Sequence, residues 1–238
     1  MIVKPIKTRV FLENEDLVAF IKSQIKKCSN GSVIVITSKI VALSEGRVVE
    51  IKDEKTREKV IKQESQFAMR TKYTWLTIRD NMVMSSAGVD ESNANGKIIM
   101  LPKNSFLSAQ KIRKELMSFF DIKNLGILIT DSRLVPLRNG ITGVAMGYAG
   151  FKGIKKYKGT PDIFGRKLKL ARTDMADSLA AAAVIVMGEG REQIPLAVIE
   201  DAPVEYTDRV NKKELEINIK EDLYQPLFEK IKKIRFKR

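Results

Sequence analysis

Apolar positions recur along the chain at two spacings, and the switches between them mark where elements begin and end. Leu17, Phe20, Ile21 and Ile25 share one helical face, which predicts a helix opening on Asn14 as N-cap and closing at Ser29-Asn30-Gly31. Residues 33–36 (VIVI) form an unbroken β-branched run, the pattern of a strand buried on both faces, and lead into Thr37-Ser38-Lys39. The charged segment from Asp53 to about Met69 reads as helix. Residues 73–79 alternate as a strand, Asp80-Asn81 reads as a turn, and MVMSS as the returning strand. After the polar loop AGVDESNANG, a strand is predicted over 98–101. A helix follows over 105–120, with Ile112, Leu116 and Phe119 on one side. GILIT (126–130) is a second buried strand, ending at Asp131. A glycine-rich stretch occupies 140–153. Thr173 is the predicted cap of a helix reaching about Met187, before GEGREQ and the strand-like PLAVIE. Leu223, Leu227, Ile231 and Ile234 again follow a helical spacing, so 205–238 reads as a basic segment ending in helix.

Alternating helices and strands place the chain in the α/β or mixed α+β class, without setting the strand order. Its 238 residues suit one large domain or two lobes sharing a groove. Neither linker nor repeat divides residues 1–238, and no lobe boundary can be drawn from the pattern. The single cysteine, Cys28, excludes an intramolecular disulfide and points to a reducing, cytoplasmic setting. The longest apolar run, 179–187, is too short to span a bilayer.

Charge and histidine content narrow the chemistry. A net charge of +14 favours anionic partners such as nucleotides, nucleic acid or membrane surfaces, or simply gives a solvated lysine-rich surface. There is no histidine, so histidine triads, histidine metal sites and histidine bases are all excluded. A metal must then be held by oxygen atoms, which suits magnesium or manganese. Proton transfer must use carboxylates, lysine, tyrosine or water.

Four segments carry candidate chemistry. A buried strand ending in a carboxylate places a fixed charge at a sheet edge, so Asp131 is a candidate metal ligand with the Ser132 hydroxyl beside it; a turn cap is the alternative. In AGVDESN, Asp90 is a second candidate ligand and Asn93 a candidate phosphate or base contact, against a plain solvated turn. In MGEGREQ, glycines flank Glu189 and allow close approach of a ligand, against a glycine C-cap with an exposed glutamate. In RNGITGVAMGYAGFKG, glycines at spacings of three or four permit close backbone packing or conformational freedom. There Arg138, like Arg166 further on, is a candidate clamp for carboxylate or phosphate, or a surface ion-pair partner. Neither GxxxxGK[ST] nor GxGxxG occurs. The terminal KIKKIRFKR could touch nucleic acid or anionic lipid, or be a solvated helix face.

Taken in order, SKIVALSEGRVV, AGVDESN, ILITDS, PLRNGITGVAMGYAG, DIFGRKL and ADSLAAAAVIVMGEG resemble the coenzyme F(420)-0:γ-glutamyl ligases and their relatives proposed as folate γ-glutamate ligases. The likeness runs from about residue 5 to 200. It implies a two-lobed α/β chain forming an intertwined homodimer. It also implies joining of L-glutamate to a carboxylate acceptor with a nucleoside triphosphate, GTP or ATP, and Mg2+ or Mn2+. Carried over by motif, Asp90, Asp131, Ser132 and Glu189 are implied metal ligands. Ser38, Lys39, Asn93 and the 187–194 segment, including Met187, Gly188, Gly190 and Gln193, are implied nucleotide contacts. The deazaflavin enzymes have threonine where this chain has Ser132, and lysine where it has Leu43, with Lys39 lying earlier instead. TSKIVAL and TDSRLVPLRNGITG are more similar to the folate-type branch.

The implied chemistry is phosphoryl transfer to the acceptor carboxylate followed by attack of the glutamate amine, with Asp131 and Arg138 as catalytic groups. Two rivals use the same residues differently. A metal-dependent phosphohydrolase would need no glutamate. A nucleic-acid-binding protein fits the charge, but acidic motifs and the lack of aromatic–basic interleaving oppose it.

Overall fold

The computed structural model describes residues 1–51 and 53–229. The chain starts with β1 (Ile2–Ile6), α1 (Leu17–Gln24), β2 (Ser32–Thr37) and α2 (Ser38–Ser44). A smaller unit follows, made of β3 (Val48–Glu50), α3 (Glu54–Gln63), β4 (Phe67–Arg70), β5 (Trp75–Arg79), β6 (Met82–Ser85) and β7 (Lys97–Ile99). The chain then returns through α4 (Ser105–Phe120), β8 (Leu125–Leu134) and β9 (Ile141–Ala149). The short β10 (Ile154–Lys156) and β11 (Arg172–Asp174) lead into α5 (Met175–Met187), β12 (Leu196–Glu200) and α6 (Gln225–Glu229). The fold is mixed α/β.

The main sheet runs β1-β12-β2-β8-β9, with β2 and β8 parallel and every other neighbouring pair antiparallel. Alternation along the strands divides the core between two faces. Ile34, Ile36, Ile127, Ile129, Val144 and Met146 pack with Leu17, Phe20 and Ile21 of α1 and Ala109, Ile112 and Leu116 of α4. Val33, Val35, Leu128, Ala145 and Tyr148 pack with Ala176, Leu179, Ala180 and Ala183 of α5 on the other. Helices α1, α4 and α2, which adds Ile40 and Val41, on one side and α5 on the other explain why β2 and β8 are continuous apolar runs. The smaller unit has its own core of Val60, Ile61, Trp75, Val89 and Ile98 beneath the β4-β5-β6 sheet and the β3-β7 pair.

The glycine-rich stretch is β9. A Cβ at Gly143 would stand 2.3 Å from the Ala180 carbonyl oxygen of α5, and one at Gly147 2.6 Å from the Phe106 backbone nitrogen of α4. Bare backbone on alternate faces lets both helices close directly onto this edge strand, so close packing explains these two glycines.

Several boundaries differ from the sequence reading, each for a local reason. Asp16, not Asn14, caps α1: its Oδ1 accepts from Val18 N (2.9 Å) and Ala19 N (3.0 Å), while Asn14 sits at φ 63 in the preceding turn. That helix ends at Gln24 because Ile25 is already extended, well before Ser29. Asp174, not Thr173, caps α5 through Asp177 N at 2.9 Å. The charged segment from Asp53 splits at Glu64 into α3 and β4, whose Phe67–Arg70 pairs with β5. β8 does not stop at Asp131; it continues to Leu134 past a bulge between Ile129 and Thr130. β1 was not read at all, because its IVKPI pattern has a proline and alternates weakly. Residues 230–238, with Ile231, Ile234 and the basic cluster, lie outside the described residues.

Candidate active site

The parallel pair β2 and β8 ends with Thr37 beside Thr130. The residues that follow this paired stretch, Ser38 and Lys39 on α2 and Asp131 and Ser132 further along β8, therefore emerge side by side at one sheet edge. Open α/β sheets bind ligands at the carboxyl ends of such strands. β12 runs antiparallel to β2, so the loop that precedes it, 188–195, lies at this same edge: Thr37 N donates to Pro195 O at 3.0 Å and Thr8 N to Gln193 O at 2.9 Å. The Asp90 loop closes the fourth side, where Asn93 Nδ2 donates to Gly190 O at 3.1 Å.

Lys39 lies among these acidic groups. Its ammonium pairs with Asp90 Oδ2 at 2.8 Å and donates to the Ser92 carbonyl at 2.9 Å and Ser92 Oγ at 3.1 Å. Ser92 in turn donates to both oxygens of Asp90, N to Oδ1 at 2.7 Å and Oγ to Oδ2 at 2.9 Å. Burial pushes the Asp90 carboxyl up, but Lys39 and Ser92 together outweigh it, and the net shift is downward. Asp131 goes the other way. Burial lifts it to about 7, the Ser132 backbone N–H works against the rise, and the negative charges of Asp90 and Glu189 add to it more than Lys39 removes. Glu189 is also raised, first by burial, while the Ser132 hydroxyl near it pulls the other way. Burial first, and then the charges of Asp90 and Glu189 against the single ammonium of Lys39, leave Asp131 less ionised than an ordinary carboxyl.

Asp90, Asp131, Ser132, Glu189, Lys39, Ser38, Asn93, Gly188, Gly190 and Gln193 therefore surround one edge of the sheet. The carboxylates are electrostatic neighbours rather than a tight cage: among the described residues no trio of acidic or thiol ligands stands at metal-binding spacing. Met187 differs from its neighbours, since its side chain is buried in the core under α5. Arg138 is not bonded to any of these groups among the described residues. It lies in the exposed turn joining β8 to β9, held by its N–H to the Val135 carbonyl at 3.2 Å, with Leu137 beside it fully exposed. The sequence reading did not single out Ser92 as the link between Lys39 and Asp90. It also passed over Glu192, which accepts from Gly190 N at 2.8 Å and steadies the Glu189 turn.

The Asp90 loop rests on a strained support. Ser86, Ala87 and Gly88 have φ of 49°, 55° and 70°, three left-handed residues in succession. Ala87 N donates to Thr77 Oγ1 at 2.8 Å, and the buried Arg79 donates to the Ala87 carbonyl at 3.3 Å. Arg79 also pairs with Glu64 at 2.7 Å, and Glu64 with Arg47 at 2.5 Å. A charged network under the smaller unit's core therefore fixes the turn that presents Asp90.

Among the described residues no helix is long and apolar enough to cross a membrane. A family model described as F420-0:Gamma-glutamyl ligase matches residues 5–201. The chain is 43% identical over 147 residues to a protein of Methanococcus maripaludis strain C7 named coenzyme F420:L-glutamate ligase, a match spanning 62% of this chain and 58% of that protein. To the strain C6 protein of the same name it is 34% identical over 220 residues, 90% of this chain and 86% of the other. To that of Methanocaldococcus jannaschii it is 34% identical over 201 residues, 82% and 79% of the two chains.

Proposed function

The chain belongs to the F420-0:gamma-glutamyl ligase family, and from that premise we propose that it joins L-glutamate to a carboxylate acceptor at the expense of a nucleoside triphosphate, GTP or ATP. Its class is that of an amide-forming ligase. The observation that carries the finer reading is the edge of the main sheet, where Asp90, Asp131, Ser132 and Glu189 gather around Lys39.

That donor set fits Mg2+ or Mn2+. Hard divalent cations take carboxylate and hydroxyl oxygens, and a cation would offset both the burial that chiefly lifts Asp131 and the charges of Asp90 and Glu189 that add to it. Asp90, Asp131, Ser132 and Glu189 would hold it; when bound, it neutralises the oxygens of the transferring phosphoryl group. Ser38, Lys39, Asn93 and the backbone of 187–193 line the place for the triphosphate.

A carboxylate is a poor electrophile, so the acceptor oxygen first takes the terminal phosphoryl group, releasing the nucleoside diphosphate. The glutamate amine then attacks the acyl carbon, forms the C–N bond, loses a proton and expels phosphate. The chain's own residues bind and orient the anions and shield the acyl phosphate from water. Arg138, on the exposed β8–β9 turn, would meet the reactants by movement of that turn or from another copy of the chain. The homodimer is part of the same proposal, and the apolar tips support it: Leu137 beside Arg138, and Ile163, Phe164 and Leu170 between β10 and β11, are almost wholly exposed. The name of the curated relatives favours a deazaflavin acceptor, and the TSKIVAL and TDSRLVPLRNGITG phrases favour a folate.

The step is tested with acceptor carrying heavy oxygen in its carboxylate. Acyl-phosphate chemistry moves one labelled oxygen into the released phosphate. A phosphohydrolase would take the new phosphate oxygen from unlabelled solvent and release phosphate without label, and that result would remove the ligase mechanism.

A further inference from the structure

An ammonium has three N–H donors, and those of Lys39 all go to one loop: Asp90 Oδ2 at 2.8 Å, the Ser92 carbonyl at 2.9 Å and Ser92 Oγ at 3.1 Å. This is a complete set of partners for a lysine held as a structural clamp between α2 and the Asp90 loop. Yet the bonded carboxylate is also the one placed to ligate a cation, and Asp131 and Glu189 face the same charge. One positive charge does not balance three carboxylates. A divalent cation entering here must take oxygens that Lys39 now holds, and it repels the ammonium as it does so.

We propose that Lys39 is the exchangeable counter-ion of this carboxylate group, holding Asp90 through Oδ2 until a divalent cation claims the same oxygen. The inference rests on the metal reading above. Its consequence is an ordered site. The ammonium keeps the Asp90 loop in place while the site is without metal. Metal loading frees a positive charge at the end of β2, where the anionic triphosphate is expected. Metal and nucleotide should then strengthen each other's binding through Lys39, by reciprocal linkage.

The test is Mn2+ binding to the full chain without nucleotide, followed by the paramagnetic signal of free Mn2+, for the unsubstituted protein, Lys39→Met and Lys39→Arg. A partly screened ion pair is worth about fivefold in an equilibrium constant, so Lys39→Met should bind Mn2+ about fivefold more tightly. Lys39→Arg, which keeps the competing charge, should show no such gain. Equal or weaker Mn2+ binding by a folded Lys39→Met would overturn the exchange and leave Lys39 a plain clamp. No binding by the unsubstituted protein would overturn the metal reading itself. A second measurement needs no substitution: acetylation of Lys39 by a small anhydride, read by mass spectrometry, should quicken on saturation with Mg2+. Unchanged or slower labelling contradicts the proposal.

Discussion

Glu64→Gln probes the support beneath the Asp90 loop without touching the site. Glu64 Oε2 accepts from Arg47 Nη2 at 2.5 Å and pairs with Arg79 Nη1 at 2.7 Å. The side chains are 18%, 23% and 9% exposed for Glu64, Arg47 and Arg79. Removing one partner of a fully buried pair costs about 3–5 kcal/mol, whereas exposed pairs contribute about 0.2–1 kcal/mol. This network lies between, and glutamine keeps one acceptor, so the loss should be about 2 kcal/mol. It leaves two guanidinium groups facing each other, and Arg79 is the group that holds the Ala87 carbonyl in its left-handed turn. Urea unfolding measures the stability change. A cycle with Arg79→Met should show that the second substitution costs at least about 1 kcal/mol less in the Glu64→Gln background. Mn2+ affinity should fall as well, because Asp90 lies three residues beyond Ala87. A stability loss under about 0.5 kcal/mol, or an additive cycle, would refute the claim that this network acts as a unit.

Other substitutions test separate parts of the account. Asp131 is held at about 7 in the folded chain, by burial first and then by Asp90 and Glu189, against about 3.9 when unfolded. Its raised value favours the fold at low pH, and that advantage is lost as pH rises through about 7. Asp131→Asn should therefore make the metal-free protein relatively more stable at pH 8 than at pH 5 in thermal unfolding, while removing most Mn2+ binding. A Cβ at Gly147 would meet the α4 backbone at 2.6 Å, so Gly147→Ala should lower stability by about 1–3 kcal/mol, read by chemical denaturation. Tyr148 is fully buried and donates to Glu214 at 2.7 Å, which also accepts from Gly153 N. Tyr148→Phe should cost about 1–2 kcal/mol and speed limited proteolysis in the 205–220 segment.

What was legible in the chain follows from which forces are local. β2 and α4 declare themselves because burial sets their apolar spacing, and a strand or helix of that length has few alternatives. β9 was hidden because its glycines answer to helices α4 and α5 across the sheet, not to their own neighbours. The caps were displaced by a residue or two, since Asn14 and Asp16, or Thr173 and Asp174, have equivalent capping chemistry and only geometry chooses between them. The candidate site was visible as ordered motifs, whose family resemblance the comparisons bear out. Its wiring was not visible. Lys39 and Asp90 are joined only because the smaller unit folds back over α2, and the Glu64–Arg79 network joins residues with no shared pattern.

The most direct test of the central claim incubates the protein with GTP or ATP, Mg2+ and Mn2+, L-glutamate, and either a folate or the deazaflavin acceptor. Mass spectrometry then follows the acceptor. The account predicts a product heavier by one glutamyl unit, formed only when triphosphate and metal are both present and lost in Asp131→Asn. Triphosphate consumed to diphosphate and phosphate with both acceptors unchanged and glutamate unincorporated would contradict it.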